Sequence, residues 1–225
     1  MKGMKIIDAH SHIDYITHNF QEDVVGTVCC ATKESEWNKL VELMHNDKNI
    51  YGAFGIHPWF VDSVLEGFDK RLEDLLKTNC KYMVGEIGLD KCKLNMEKQI
   101  EIFQKQLDLA ICLQRSVFIH CVGAWDKILH VLKLYKQSEL PIIVFHDFNA
   151  NDEILTKLLQ YKNTFFSVGK NVVYDRFCRI DEIPNDRILI ETDANKNIIL
   201  RDLVNKISKN ESDIYNNILR VLNNG

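Results

Sequence analysis

The chain has 225 residues, of which 46% are hydrophobic and 27% charged, and its formal net charge is −4. This composition is typical of a globular protein with a sizeable core, and the acidic balance argues against binding nucleic acid by bulk electrostatics. No apolar run approaches the roughly 20 residues that span a bilayer, and acidic and histidine residues interrupt any signal-like segment near the N-terminus. The seven cysteines are odd in number and lack C-x-x-C spacing, and most lie in apolar runs, as Cys29, Cys30 and Cys112 do. This pattern predicts buried free thiols in a reducing compartment. We therefore expect a cytoplasmic protein without membrane association, in which residues 1–225 form a single domain.

Short apolar runs rich in β-branched residues alternate with amphipathic stretches along the whole chain. Several of these runs are continuously hydrophobic, as strands buried on both faces are. Asn151 stands where it could cap a helix, with two acidic residues in the first turn after it. In chain order the predicted elements are strands 5–9 and 26–31, helix 34–45, strand 50–55, helix 68–76, strand 82–86, helix 98–113, strand 117–120, helix 125–135, strand 141–145, helix 151–159, strands 164–168 and 187–191, and helices 201–208 and 211–222.

The alternation of strands and helices predicts parallel strands joined by right-handed crossovers. About eight such units in one chain favour an α/β fold of the (β/α)8 TIM barrel type, on the small side for that fold. An open doubly wound sheet is the alternative. The first strand is not followed by G-x-G-x-x-G, and this argues against a dinucleotide-binding fold.

Two histidines follow the first apolar run in the stretch Asp8-Ala9-His10-Ser11-His12. Side chains two apart on a strand point to the same face, so His10 and His12 lie on one side. On this stretch alone, the pair could be polar residues at an exposed strand end or two ligands of one metal ion.

The ends of the other predicted strands decide between these interpretations. In a barrel the carboxyl ends of the strands meet at one mouth, where the active site lies. Imidazole and carboxylate groups suit zinc, manganese or iron and, less well, magnesium. Six such groups are too many for one tetrahedral catalytic zinc, but they suffice for two ions that share a carboxylate. The predicted ligands are His10, His12, Glu86, His120, His146 and Asp193.

For other polar residues near these strand ends, the sequence allows two interpretations. His57, in Gly-Ile-His-Pro beside Trp59, could line a substrate pocket or cap the turn, and we favour the pocket for both residues. Asp90 could orient a ligand imidazole or be an acid in a turn. Cys121 and Asp147 directly follow predicted ligands, so their side chains are expected to point away from the metal ions. No chemistry is expected of His18, His45 and His130.

Taken together, these stretches resemble the TatD-like metal-dependent hydrolases, which are (β/α)8 barrels of the amidohydrolase type. The resemblance extends from residue 4 to about residue 222 and also includes the helix around residues 99–110. It rests on Ile7-Asp8-Ala9-His10-Ser11-His12, Gly55-Ile56-His57-Pro58, Val84-Gly85-Glu86-Ile87-Gly88-Leu89-Asp90, Ile119-His120, Phe145-His146 and Glu191-Thr192-Asp193-Ala194.

The resemblance implies hydrolases with one to three divalent ions, many of them magnesium- or manganese-dependent deoxyribonucleases. It implies that His10, His12 and Asp193 hold one ion, that Glu86 bridges, and that His120 and His146 hold the second. Asp193 is then also the best candidate for the general base. The chain departs from the family pattern after Asp193, where Asn195 replaces a proline, after His146, and at Trp59, which replaces a second histidine.

The sequence thus predicts a divalent-metal-dependent deoxyribonuclease, with Asp193 and Glu86 as catalytic residues and two ions (magnesium, manganese or zinc) as cofactors. DNA is the expected substrate, cleaved at its phosphodiester bonds by a metal-activated water, and no obligate protein partner is inferred. One alternative is a metal-dependent hydrolase of a small phosphoester, ester or amide. Another is a non-catalytic metal-binding protein.

Overall fold

A single sheet of eight parallel strands forms the centre of the molecule, in the order in which the strands occur along the chain. The structure is a computed structural model that describes residues 5–16, 21–177 and 179–223. The eight strands, alternating with helices, confirm the predicted barrel. The strands are β1 Ile6–Ser11, β2 Val24–Cys30, β3 Ile50–Phe54, β4 Met83–Asp90, β5 Val117–Val122, β6 Ile143–Phe145, β7 Thr164–Val168 and β8 Ile188–Ile190.

The first and last strands lie side by side, which excludes the open-sheet alternative. The backbone N–H of Asp193 donates to the carbonyl of His10 at 3.0 Å. The buried Asp8 carboxylate accepts from the backbone N–H of Thr192 at 2.9 Å and from its hydroxyl at 2.6 Å. A carboxyl group is tolerated in this buried position because both of its oxygens are hydrogen-bonded, and these bonds tie β1 to the chain that follows β8.

The helices pack around the sheet close to the predicted positions. The first begins three residues later than predicted, because residues 34–36 form a 3₁₀ turn. The Asn151 side chain accepts from the Ile154 N–H at 3.0 Å, so the predicted cap is confirmed. A short helix after β7 was not predicted. The helices are α1 Trp37–Asn46, α2 Phe68–Thr78, α3 Met96–Leu113, α4 Trp125–Leu132, α5 Asp152–Leu159, α6 Lys170–Val173, α7 Leu200–Ile207 and α8 Glu211–Leu222.

Two buried clusters make up the core. The larger lies between the strands and the surrounding helices. The smaller draws at least one side chain from every strand and therefore fills the inside of the barrel. Ile218 and Val221 of α8 belong to this inner cluster, and Ser116, just before β5, donates to the Val221 carbonyl at 2.8 Å. Helix α8 thus covers the amino ends of the strands and leaves the carboxyl ends open.

Strand β4 is longer than predicted, and this changes the position of Glu86. The sequence places Glu86 at the end of a strand 82–86, but β4 continues to Asp90. The continuation pairs with β5, with Gly88 opposite His120 and Asp90 opposite Val122. Glu86 therefore lies in the middle of β4, within the barrel rather than on a loop above it, and the residue is 1% exposed.

Cysteine burial follows the predictions only in part. Cys29 and Cys30 are buried in β2, as their apolar run predicts, but Cys112 is exposed on α3. An amphipathic helix turns one face to solvent, so an apolar run in sequence need not be buried throughout. His18 and Cys178 lie outside the described residues. Within the described ranges, the helices are all too short or too polar to cross a lipid bilayer.

Candidate metal centre

The six predicted ligands come together at the open end of the barrel, around the Glu86 carboxylate. One oxygen, Oε1, lies 2.8 Å from His146 Nε2 and 3.0 Å from His120 Nδ1. The other oxygen, Oε2, lies 3.3 Å from His10 Nε2 and 3.6 Å from His12 Nε2. The two oxygens of one carboxylate therefore face two separate pairs of imidazoles.

Asp193 completes the side of the site occupied by His10 and His12. Its Oδ1 atom lies 3.5 Å from His12 Nε2 and 4.0 Å from His10 Nε2. The backbone at Asp193 and Ala194 is left-handed, with φ of 47° and 58°. Such conformations are uncommon outside glycine and concentrate at functional sites, and here they turn the carboxylate back over the mouth.

The donor atoms around Glu86 fit a cation. His120 Nδ1 and His146 Nε2 face each other at 3.2 Å. If neither nitrogen carried a proton, two lone pairs would meet, so a proton or a cation belongs between them. His10 Nε2 is buried and makes no hydrogen bond to the described part of the chain, although Glu86 Oε2 is near. Donor atoms of His10, His12 and Glu86 lie within 4.8 Å of one another, as do those of His10, His146 and Asp193. Nitrogen and oxygen donors in this arrangement suit a borderline divalent metal ion.

In His10, His12 and His146 the second ring nitrogen lies within hydrogen-bond distance of a protein group. His12 Nδ1 lies 3.1 Å from the Cys30 carbonyl, and His10 Nδ1 lies 3.4 Å from the Cys30 sulfur. His146 Nδ1 lies 3.2 Å from Glu191 Oε1. Such outer partners fix the ring and direct the other nitrogen toward the centre, as is common around metal-ligating histidines.

Asp90 serves both of the roles that the sequence left open. Its Oδ2 atom accepts from the Trp59 indole at 2.6 Å and lies 3.5 Å from His120 Nε2. Its Oδ1 atom accepts from the Cys92 N–H at 2.8 Å, as an acid in a turn does. Asp90 therefore holds both an imidazole of the site and the aromatic ring at its edge.

His57 lies against the same carboxylate, but its tautomer makes it a donor. The Trp59 N–H donates to His57 Nδ1 at 3.1 Å, so in the neutral ring the proton is on Nε2. That nitrogen lies 3.2 Å from Glu86 Oε1. Burial lowers the pKa of His57, which keeps the ring neutral. His57 thus lines the pocket, and it also caps the 3₁₀ turn Pro58–Ser63.

The charges of the site keep both central carboxylates ionised. Burial opposes ionisation of Glu86, but the surrounding imidazoles hold its pKa well below the usual range. Burial likewise opposes ionisation of Asp193, and the hydrogen bond with His12 lowers its pKa. Burial also disfavours the charged His12 ring, yet Asp193 and Glu86 together raise its pKa to about 9. The centre attracts positive charge, whether as protons or as a metal ion.

Sequence reasoning missed three residues that support the site. Glu191 is fully buried and accepts from the Asp147 N–H at 2.7 Å as well as from His146. Asp8, also fully buried, is close enough to accept from the His10 N–H at 3.3 Å. Both are acidic residues in otherwise apolar strand runs, a signal that could have been noticed. Lys170 carries no comparable signal in the sequence.

Lys170 reaches the mouth from α6 and joins two carboxylates. Its ammonium lies 2.6 Å from Asp193 Oδ2 and 3.1 Å from Asp147 Oδ2. The expectation that Asp147 points away from the site is therefore wrong, because its backbone is left-handed, with φ of 41°, and turns the side chain inward. Cys121 borders the cavity, but its side chain packs against the outer core cluster and so points away from the centre, as expected. His45 and His130 are exposed on helices and are not among the residues that line the cavity.

A cavity of about 590 Å³ opens above these groups and contains Glu86, Asp193 and Lys170 in its wall. A model of the TatD related DNase family matches residues 7–223 of this chain. The chain belongs to that family.

Two nucleases are among the relatives of this TatD-family chain. It is 32% identical over 162 residues to the 3'-5' RNA nuclease TATDN2 of Homo sapiens, a match that covers 68% of this chain and 21% of that protein. It is 30% identical over 150 residues to the 3'-5' ssDNA/RNA exonuclease TatD of Pectobacterium atrosepticum, which covers 64% of this chain and 57% of that protein. The chain thus matches less than two thirds of the length of either nuclease.

The barrel is also similar to that of a solved TatD-family structure. YjjV, a TatD homologue from Escherichia coli K12, aligns with a TM-score of 0.83 over 96% of this chain and 97% of its own, at 22% identity. At this identity the similarity concerns the fold.

Proposed function

We propose that this protein is a divalent-metal-dependent nuclease that hydrolyses phosphodiester bonds, with single-stranded DNA as the first substrate to test. The observation that carries the proposal is the Glu86 carboxylate, whose two oxygens face two pairs of imidazoles beside Asp193. The named activities of the two related nucleases support a nucleic acid as the substrate. The cytoplasmic location and the single domain stay predictions.

We assign the donors to two ions. His10, His12, Asp193 Oδ1 and Glu86 Oε2 would hold one ion, and His120 Nδ1, His146 Nε2 and Glu86 Oε1 the other. An imidazole-rich set favours manganese or zinc over magnesium. When bound, such ions would lower the pKa of a water molecule and offset the charge of a phosphate.

The protein's own groups then have distinct roles. The Asp193 carboxylate is the candidate proton acceptor for the attacking water, and Lys170 holds its Oδ2 and so fixes which oxygen faces His12. The Lys170 ammonium, 38% exposed, can also donate to a phosphate oxygen. The Trp59 ring stands at the edge of the pocket as a stacking surface, while His57 Nε2–H donates to Glu86 Oε1 and so holds that carboxylate in place.

Two features of the cavity favour the alternative of a small phosphoester substrate. The cavity volume, about 590 Å³, lies in the range usual for small-molecule sites. Lys170 is the one lysine or arginine among its described lining residues. A small anion would fit this arrangement as well as the end of a polynucleotide.

The first experiment measures cleavage by metal-stripped protein to which Mg²⁺, Mn²⁺ or Zn²⁺ is added separately. The substrates are end-labelled single-stranded DNA, the RNA of the same sequence, and the chromogenic diester bis(p-nitrophenyl) phosphate. We expect metal-dependent cleavage of the DNA strand. Glu86→Ala and Asp193→Ala should reduce it by at least about 100-fold, since even outer partners of metal ligands cost 10–100-fold.

His130→Ala is the control, because His130 is exposed on α4 and should keep wild-type activity. Circular dichroism checks that the variants fold. Cleavage of the chromogenic diester without cleavage of either polynucleotide would move the assignment to a small phosphoester. Wild-type activity of Glu86→Ala would contradict the two-ion arrangement.

A further inference from the structure

Three aromatic rings at the edge of the cavity each carry a lysine ammonium over the ring. Lys93 Nζ lies 4.3 Å from the centre of the Trp59 ring, and Lys33 Nζ lies 5.0 Å from that of Phe60. Lys196 Nζ lies 5.5 Å from the centre of the Tyr15 ring. All three rings line the cavity, and Trp59 and Tyr15 are 55% and 46% exposed.

The three pairs occupy one continuous part of the rim, which we call the rim arc (Tyr15, Lys33, Trp59, Phe60, Lys93 and Lys196). Lys196 follows β8, and Tyr15 follows β1. Lys33 follows β2, the two rings Trp59 and Phe60 follow β3, and Lys93 follows β4. Since β8 lies beside β1, these are loops of five neighbouring strands. In sequence the lysines are far apart, and only the closed barrel makes them neighbours.

The rim arc is positive although the whole chain is not. Among the described residues, Lys93 and Lys196 have no ion-pair partner. Lys33 does have such a partner, because its ammonium lies 3.5 Å from Glu36 Oε1. Two other carboxylates lie at this side of the mouth: Asp14 is paired with Lys39 at 2.8 Å, and Asp90 accepts from the Trp59 indole at 2.6 Å. An ammonium over an aromatic ring is held weakly and can move to a stronger anion.

We propose that the rim arc is a binding surface for a single-stranded polynucleotide beyond the bond that is cut. This inference rests on the proposed nuclease function and adds residues that hold the strand. A nucleotide joins a flat base to a phosphate anion, so a ring with an ammonium beside it matches one nucleotide. Bases stack on the rings and the ammonium groups contact the phosphates. A duplex fits less well, because its paired bases are not free to stack.

The test measures binding without metal ions, so that it does not depend on catalysis. Fluorescence anisotropy of labelled single-stranded DNA and RNA is followed in EDTA from 50 to 300 mM salt for wild type and for Lys93→Gln/Lys196→Gln. Each lost phosphate contact lowers the slope of log affinity against log salt by about 0.7 for single strands. The double variant should therefore lose about 1.4 in slope and bind about 10- to 30-fold more weakly at 100 mM salt.

Lys48→Gln/Lys81→Gln is the matched control. These exposed lysines precede β3 and β4, at the opposite end of the barrel, and their removal changes the net charge equally. The control should keep the wild-type slope. An abasic strand tests the rings and should bind at least about tenfold more weakly than the same strand with bases.

Several results would overturn the rim arc. They are the absence of wild-type binding in EDTA, equal slopes for the two double variants, duplex binding as tight as single-strand binding, or abasic binding as tight as that of the intact strand. The separate cleavage assay decides the proposed function. If cleavage is metal-dependent but Lys93→Gln/Lys196→Gln keeps the wild-type slope, only the rim-arc proposal is refuted. If no polynucleotide is cleaved, the proposed nuclease function is refuted.

Discussion

His57 and His120 are neighbours with different chemistry. Their ring centres lie 4.4 Å apart, and both rings approach Glu86 Oε1. What separates them is the partner of the other nitrogen. His57 Nδ1 accepts from a backbone N–H, so its Nε2 carries a proton, whereas His120 Nε2 faces the Asp90 carboxylate and leaves a lone pair on Nδ1.

This contrast predicts different effects of two matched substitutions. His120→Ala should lose one of the two bound ions, while His57→Ala should keep both, because a protonated nitrogen is not a metal ligand. The measurement is the number of Mn²⁺ ions bound per chain, by calorimetric titration and elemental analysis. Loss of an ion in His57→Ala would contradict the tautomer assignment.

At the scale of elements, the position of His120 depends on how closely β4 and β5 approach. Gly88 pairs with His120 across these strands and has φ of +142°. A Cβ at Gly88 would overlap the His120 carbonyl oxygen and lie 2.9 Å from its backbone nitrogen. Glycine at this position lets the two strands bring Glu86, Asp90 and His120 to one point.

Gly88→Ala should therefore have two effects at once: it should destabilise the fold and displace His120. Gly67→Ala is the control, since Gly67 also has positive φ (+72°) but an added Cβ would meet only the end of the Arg71 side chain, at 3.4 Å. The control should cost about 1 kcal/mol in the free energy of unfolding for the backbone alone. Gly88→Ala should cost about 1–3 kcal/mol more because of the overlap. Urea unfolding measures both, and equal losses would contradict the close approach.

At the scale of the whole molecule, the proposed ligands lie in or directly after five of the strands, β1, β4, β5, β6 and β8. Ions that bind only the folded chain add their binding free energy to its stability, about 2.7 kcal/mol at a concentration 100 times Kd. Addition of Mn²⁺ to stripped protein should thus raise Tm by about 5–10 °C. Scanning calorimetry with and without EDTA measures the shift. His130→Ala should keep it and Glu86→Ala should lose most of it, while an equal shift in both would argue against binding at this centre.

The amino-acid sequence by itself determined the barrel and the set of side chains at its mouth. Alternation along a strand is a local property, so His10 and His12 reveal a shared face without any knowledge of the fold. Apolar runs followed by Glu86, His120, His146 and Asp193 reveal strand ends in the same way, although β4 proved longer than its run suggested because pairing with β5 extends it.

Only the tertiary structure decided what surrounds these side chains. The partners of the second ring nitrogens, the Lys170 ammonium on Asp193 and the lysines of the rim arc come from distant parts of the chain. The sequence cannot distinguish a lysine at the mouth of the barrel from any other surface lysine, because neither periodicity nor adjacent residues mark it. Closure of the sheet turns scattered charges into a local surface, and that closure depends on contacts between residues nearly the whole chain apart, such as Asp8 and Thr192.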